Sequence, residues 1–171
     1  MTIMFDGISA DAAAIHARAP GAPVACYING AFAWSPAQEA MFGRKIRISV
    51  EAGQPGAAKY ARVIDVERGA ARPVDVPPFL RVRDNMSANG TVYCSLANVP
   101  EVLDVLGAQR PRWWLAWYWG RPGAPSAAQV LAELEHLTGR TVPPADLWAC
   151  QYVSRAQWDE SVIYGLQDWS R

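Results

Sequence analysis

The 171-residue chain has no excess of charge of either sign, with 16 Lys and Arg against 16 Asp and Glu. The basic residues are scattered apart from small groups at Arg44-Lys45-Arg47 and Arg81-Arg83. Nothing in that balance suggests nucleic acid or an anionic membrane surface as the main partner. Cysteine is scarce: Cys26, Cys94 and Cys150 lie far apart in apolar runs, with no CxxC. They read as buried reduced thiols of a protein made in the cytosol. The two histidines, His16 and His136, sit in no motif, so neither a zinc site nor a Cys–His nucleophile is expected. The first residues, Met-Thr-Ile-Met-Phe-Asp, contain no basic leader and no apolar stretch of signal-peptide length. The longest aromatic and apolar run, Trp113 to Trp119, is too short to cross a bilayer. Phosphate-binding glycine motifs are missing too, since Gly53-Gln-Pro-Gly56 contains proline and lacks the spacing. No cofactor is expected.

What is present is a chain about half apolar, long enough for one domain with a substantial core. Short β-type runs alternate with helix-type runs, the pattern of βα units around a parallel sheet. Strands are expected at Thr2–Asp6, Val24–Asn29, Lys45–Glu51, Ala61–Glu67, Thr91–Ser95, Arg112–Tyr118 and Leu147–Val153, with an eighth at Ser161–Tyr164. Between them lie an Ala-rich helix from Ser9 or Asp11 to Pro20-Gly21, and a helix started by Ser35-Pro36. Further helices are expected from Pro77 to about Ala88, from Asn98 to Gly107, and over Ser126–Leu137 with Gly139 as its stop. Seven or eight strands fit a small trimmed (β/α)8 TIM-type barrel; the competing open doubly wound sheet usually has five or six. The Pro- and Gly-rich stretches read as loops of a single domain spanning residues 1–171.

The expected fourth strand ends in Ile-Asp65-Val-Glu67. Strand alternation points both carboxylates to one face, with backbones roughly 6.5–7 Å apart. Such a pair suits acid/base hydrolysis of a glycosidic bond, while loop-edge acids capping the next helix are the plainer reading. Barrel active sites lie at the carboxyl ends of strands. Reading those ends collects Asp6, Tyr27, Asn29, Asp65, Glu67, Tyr93, Ser95, Trp114, Tyr118, Gln151 and Asp159. Acids, amides and aromatic rings at one mouth suit a sugar, whose hydroxyls and ring faces they match. Each has a structural alternative: Asp6 as a helix cap, Tyr27 and Tyr93 as core, and Trp113, Trp117, Trp148 and Trp158 as filling between sheet and helices.

Val-Ile-Asp65-Val-Glu67 resembles the Asp-x-Glu strand of family 25 glycoside hydrolases, the lysozyme-like β/α barrels of phage and bacterial cell-wall lysins. Thr91-Val-Tyr93-Cys-Ser95 is similar to that family's Tyr-x-Ser strand, and Trp114-Leu-Ala116-Trp-Tyr118 to its Trp-x-Ala-x-Tyr strand. Cys150-Gln151-Tyr152-Val-Ser154 and Trp158-Asp159-Glu-Ser161 resemble its Trp-Gln-Tyr-x-Ser and closing Asp-x-Asn. The resemblance covers about residues 61–165. Phe5-Asp6-Gly7 stands where the family has its first-strand Asp, without the Ser and Trp-Gln-Gly that usually follow. Tyr27-Ile-Asn29-Gly30 is nearer to related glycoside-hydrolase-like barrels of actinobacteria, and the Ala, Arg and Trp content suits such a host or its phage.

The resemblance implies a muramidase-type enzyme acting on peptidoglycan glycan. Glu67 would be general acid, Asp65 the stabilising carboxylate, and Asp6 and Asp159 would complete the acidic ring. Tyr93, Tyr118 and Gln151 would bind sugar. The first residues lead us to expect synthesis without a cleaved signal, and the resemblance adds phage-encoded action on a host wall as one setting. A catalytically silent barrel that binds glycan or a partner, for example in a phage particle, is the alternative. Neither the oligomeric state nor the stereochemical outcome is implied.

Overall fold

The computed structural model describes residues 2–51 and 57–165. Eight strands close into a barrel in chain order: β1 Thr2–Gly7, β2 Val24–Tyr27, β3 Lys45–Ser49, β4 Val63–Asp65, β5 Thr91–Ser95, β6 Arg112–Ala116, β7 Leu147–Ser154 and β8 Asp159–Ile163. The helices are α1 Ala12–Arg18, α2 Pro36–Ala40, α3 Ala57–Tyr60, α4 Val76–Asn85, α5 Val99–Leu106 and α6 Ala127–Thr138. The expected trimmed barrel is therefore present. It departs from a regular eightfold repeat at its closing strand, because β8 pairs antiparallel with both β7 and β1. Only residues 155–158 separate β7 from β8. A parallel return needs a crossover of a dozen or more residues, so a linker this short forces a hairpin.

Local chemistry explains the helix ends. Ser35 accepts a bond from the Gln38 amide while the Gln38 side chain accepts one from the Ser35 amide, and Pro36 occupies the first turn. Ser126 and Gln129 repeat the arrangement at α6. That helix ends on Gly139, whose φ of 65° is left-handed and favours glycine. The four-residue α3 was not foreseen from sequence. Residues 53–56, which carry the glycine stretch noted above, lie outside the described residues.

Alternation along the strands sorts side chains into two layers. Met4, Ala25, Ile46, Ile48, Val63, Tyr93, Trp114, Ala149 and Ile163 fill the barrel interior. Ile64, Val66, Val92, Cys94, Trp113 and Leu115 face the helices, where Val102, Val130 and Leu134 meet them. A third cluster of Ile15, Val24, Cys26, Trp34 and Phe42 seals β2 under α1. Consecutive tryptophans thus divide: Trp113 packs outward and Trp114 inward. Trp148, expected between sheet and helices, lies in the interior layer instead. The Trp114 ring meets Tyr93 and Trp148 edge-on at centroid distances of 4.9 and 6.0 Å. Its indole N–H donates to Ser161 Oγ at 2.9 Å, which satisfies the only polar atom the buried ring carries. These rings form a solid floor beneath the carboxyl ends of the strands.

Candidate active site

Above that floor the inward positions turn polar. Asp6 and Asp159 face each other across the β1–β8 pair, and Asp65 sits opposite Tyr93 across β4–β5. Strand β4 is shorter than expected and ends at Asp65. The Val66 amide nevertheless donates to Tyr93 O at 2.8 Å, so the ladder runs one residue further. Val66 packs outward, and Glu67 returns to the inner face beside Asp65. The spacing of two residues therefore has the consequence that strand geometry gives it, although Glu67 itself lies in the turn.

Asp6 and Asp65 are each 4 % exposed, whereas Glu67 stands at the solvent. The four carboxyl groups share one field. Burial pushes Asp6 well above the usual carboxylate range, and Asp159, Asp65 and Glu67 push it further. Asp65 is pushed up to about 7, first by burial and then by Glu67, against a hydrogen bond that Tyr27 Oη donates to its Oδ2 at 3.2 Å. Glu67 is raised by loss of water and then by Asp159. Its second influence is thus Asp159, the acid across the mouth. Asp159 is raised by burial and steadied by bonds from Ser154, the Arg155 amide and Gln151. Asp6 Oδ2 and Asp65 Oδ1 are buried with no hydrogen-bond partner among the described residues.

The other candidate residues separate into four groups. Tyr27, Tyr93, Tyr118 and Gln151 join the acids. Gln151 Nε2 donates to Tyr118 Oη at 2.8 Å, and Tyr118 is also bonded to Tyr93. Tyr118 is 56 % exposed and forms the rim. Ser95 ends β5 half-buried. Asn29 is committed elsewhere: its amide donates to Ser49 Oγ at 2.9 Å and its oxygen accepts from the Val50 amide at 3.0 Å. It ties the loops after β2 and β3 together. Trp114 corrects the sequence reading. At 1 % exposure it is the floor, and it has no face to offer a sugar. Alternation on β6 put it inward as expected, but its depth depends on Ala116 and Tyr118 lying above it on the same face.

Sequence reasoning missed several neighbours. Asp11, Arg155 and Trp158 line a crevice of about 170 Å³ with Asp6, Tyr27 and Asp159. Glu160 holds that rim by accepting bonds from Arg155 Nε at 3.0 Å, Tyr152 Oη at 3.3 Å and Trp158 Nε1 at 3.4 Å. Asn98, read as a helix cap, makes no cap bond; its side-chain N–H donates to Val66 O at 3.2 Å. It fixes the backbone immediately before Glu67. The β5–α5 junction brings it there, a contact with no signature in either segment alone. Among the described residues, no cluster of His, Cys, Asp and Glu is arranged to hold a metal ion. No helix among them is long and apolar enough to cross a membrane. All three cysteines are buried, and burial pushes Cys26 and Cys150 to about 12, which leaves them poor nucleophiles.

No family model matches the chain, and no curated protein matches it. Among solved structures it is similar to a muramidase from Acremonium alcalophilum, with a TM-score of 0.54 and 12% identity, over 96% of this chain and 94% of that one. At that identity the likeness is one of fold. The chain thus shares the barrel fold of that muramidase, and the acidic mouth stands at the carboxyl end of its strands.

Proposed function

We propose that the protein is a lysozyme-like glycosidase that cleaves peptidoglycan glycan. The observation that carries this reading is the convergence of Asp6, Asp65, Glu67 and Asp159 from β1, β4 and β8 on one mouth, where each raises or is raised by another. Glu67 is the general acid, and it reaches solvent where a leaving glycosidic oxygen can approach. Asp65, buried beside it, is the stabilising carboxylate. Its unpartnered Oδ1 is available to the developing positive charge or to the N–H of a substrate N-acetyl group.

Asp65 and Glu67 are coupled acids whose carboxyls are both raised. In the free protein the deeper Asp65, pushed up to about 7, keeps a proton up to near neutral pH. A sugar ring laid across the rim strips water from Glu67 and strengthens its hold on a proton. The same ring leaves Asp65 as the anion that faces the reacting centre. Asp6, held neutral by burial and its acidic neighbours, supplies an O–H donor within the mouth. Tyr118 binds hydroxyls at the rim, and Gln151 holds its Oη from below.

The test is release of reducing sugar from purified peptidoglycan by wild type and by Glu67→Gln. Loss of activity in the variant alone supports the assignment. Equal inertness of both proteins across cell-wall substrates would remove the enzymatic reading. A second reading is a silent barrel that holds glycan or a partner, for example within a phage particle. It is favoured by the small crevice beside Asp6, about 170 Å³, below the roughly 300–1,000 Å³ common for ligand sites. In that case peptidoglycan retains the protein without being cut, and Tyr118→Ala releases it.

A further inference from the structure

The two basic groups that are separate in the sequence meet in the fold. Lys45 and Arg47 from β3 and Arg83 from α4 face one hollow of about 480 Å³ at the amino-terminal end of the barrel. Lys59 at the end of α3 and Arg62 before β4 complete its charged lining, and among the described residues no carboxylate lines it. The hollow therefore lies at the end opposite the acidic mouth. Some of its charge is balanced from outside: Arg47 pairs with Glu39 at 2.7 Å, and Lys45 Nζ donates to Phe42 O at 3.2 Å.

Arg83 differs from the others. It is 5 % exposed, and among the described residues its Nε has no partner and its one hydrogen bond is a long one, 3.4 Å, to Ala58 O. Burial and the nearby charge of Arg62 both weaken its hold on its proton. A buried guanidinium normally has an anion or several acceptors around its five N–H donors. Here the protein itself supplies one carbonyl. Tyr60 and Met86, 69 % and 49 % exposed, stand at the edge of the same hollow as apolar shoulders. The volume is that of a small-molecule site, and the balanced net charge gives no extended basic track for a polymer.

We infer that this hollow binds a small phosphorylated organic molecule, its phosphate held by Arg83, Lys59 and Lys45 and its organic part laid against Tyr60 and Met86. Guanidinium is matched to phosphate by its planar fork of donors, and lysines add point charge without demanding geometry. This site is independent of the glycan mouth and of the activity proposed there.

Calorimetric titration of the full chain with phenyl phosphate, inorganic phosphate and sodium chloride at matched ionic strength tests it. Phenyl phosphate is expected to bind saturably with one-to-one stoichiometry and more tightly than inorganic phosphate, with no saturable heat from chloride. Lys59→Ala and Arg83→Gln are each expected to weaken it about tenfold, the effect of one charge-assisted bond. Tyr60→Ala weakens phenyl phosphate while leaving inorganic phosphate unchanged. Phenyl phosphate at about a hundred times its Kd should raise the Tm by roughly 5 °C or more. Absence of saturable binding at millimolar concentration, or affinity unchanged in Lys59→Ala, would overturn the inference. Equal affinity for the two phosphates would overturn the role given to Tyr60 and Met86. Should Arg83→Gln fail to fold, the exposed Lys59 and Tyr60 variants decide the matter alone.

Discussion

Replacing Asp65 by asparagine changes the charge of the mouth and almost nothing of its shape. The side chains are nearly isosteric, and an asparagine oxygen can still accept the bond from Tyr27 Oη. The expected consequence is a change in how stability depends on pH. The folded-state pKa of Asp65, about 7, lies above its ordinary value of 3.8. Between those values the native protein keeps a proton that the unfolded chain has already lost. Stability conferred by the neutral carboxyl is therefore complete below about pH 4 and is lost as pH rises through 7. The slope is about 1.4 kcal/mol per pH unit, and the whole interval amounts to something on the order of 4 kcal/mol. Asp6 adds to the slope with the same sign, because its pKa is raised as well. Asp65→Asn removes the first contribution and leaves the second. Measured by urea unfolding at pH 4, 6 and 8, the variant should match wild type at the acid end and exceed it progressively above. At pH 8 the difference in Tm is roughly 8–16 °C for a chain of this size. Parallel stability curves for the two proteins from pH 4 to 8 would refute the argument, since a buried carboxyl that ionises without cost cannot have a raised pKa.

On the proposed reading, Glu67→Gln should lower muralytic activity by about 10²–10⁴-fold, the usual contribution of a positioned general acid; the Tm should not fall, because the side chain stands at the solvent and its charge is one of those that push up Asp65 and Asp6, and a lowered Tm would show that the residue is structural. Asn98→Ala should reduce kcat more than it raises KM, because Asn98 acts on Glu67 through the Val66 carbonyl and not on substrate. A defect confined to KM would contradict that role. Trp114→Ala should destabilise the barrel by about 3–5 kcal/mol, since it empties the floor and strands the Ser161 hydroxyl. Chemical denaturation measures this, and a cost near zero would mean that the floor collapses into the gap.

Local patterning carries much of this protein in its sequence. Strand β5 was read at its true bounds, and the other strands were located with ends shifted by a residue or a few. Turn chemistry such as Ser35-Pro36 and Ser126 with Gly139 marks helix boundaries through bonds made within a single turn. Alternation then put Asp6, Asp65, Tyr93 and Gln151 on inner faces at the carboxyl ends of their strands, so most of the polar mouth was legible before any fold was known. Errors arose where an outcome depends on what other strands contribute. Trp114 shares the inner face with the mouth residues, but its depth is set by Tyr93 and Trp148 packing around it and by the side chains above. Asn29 looked available for a ligand until Ser49 and Val50 were brought against it.

Periodicity and turn signals act over a few residues, and by themselves they determined seven strands and a candidate eighth, their facing sides and the two-residue spacing that aims Asp65 and Glu67 together. Only the closed barrel decided the rest. It turned β8 antiparallel, because residues 155–158 are too few to cross over. It also set Asp159 against Asp6, buried Asp65 more deeply than Glu67, and gathered Lys45, Lys59 and Arg83 around one hollow. These are consequences of distance and dielectric between residues far apart in the chain, and such quantities exist only once the sheet has closed.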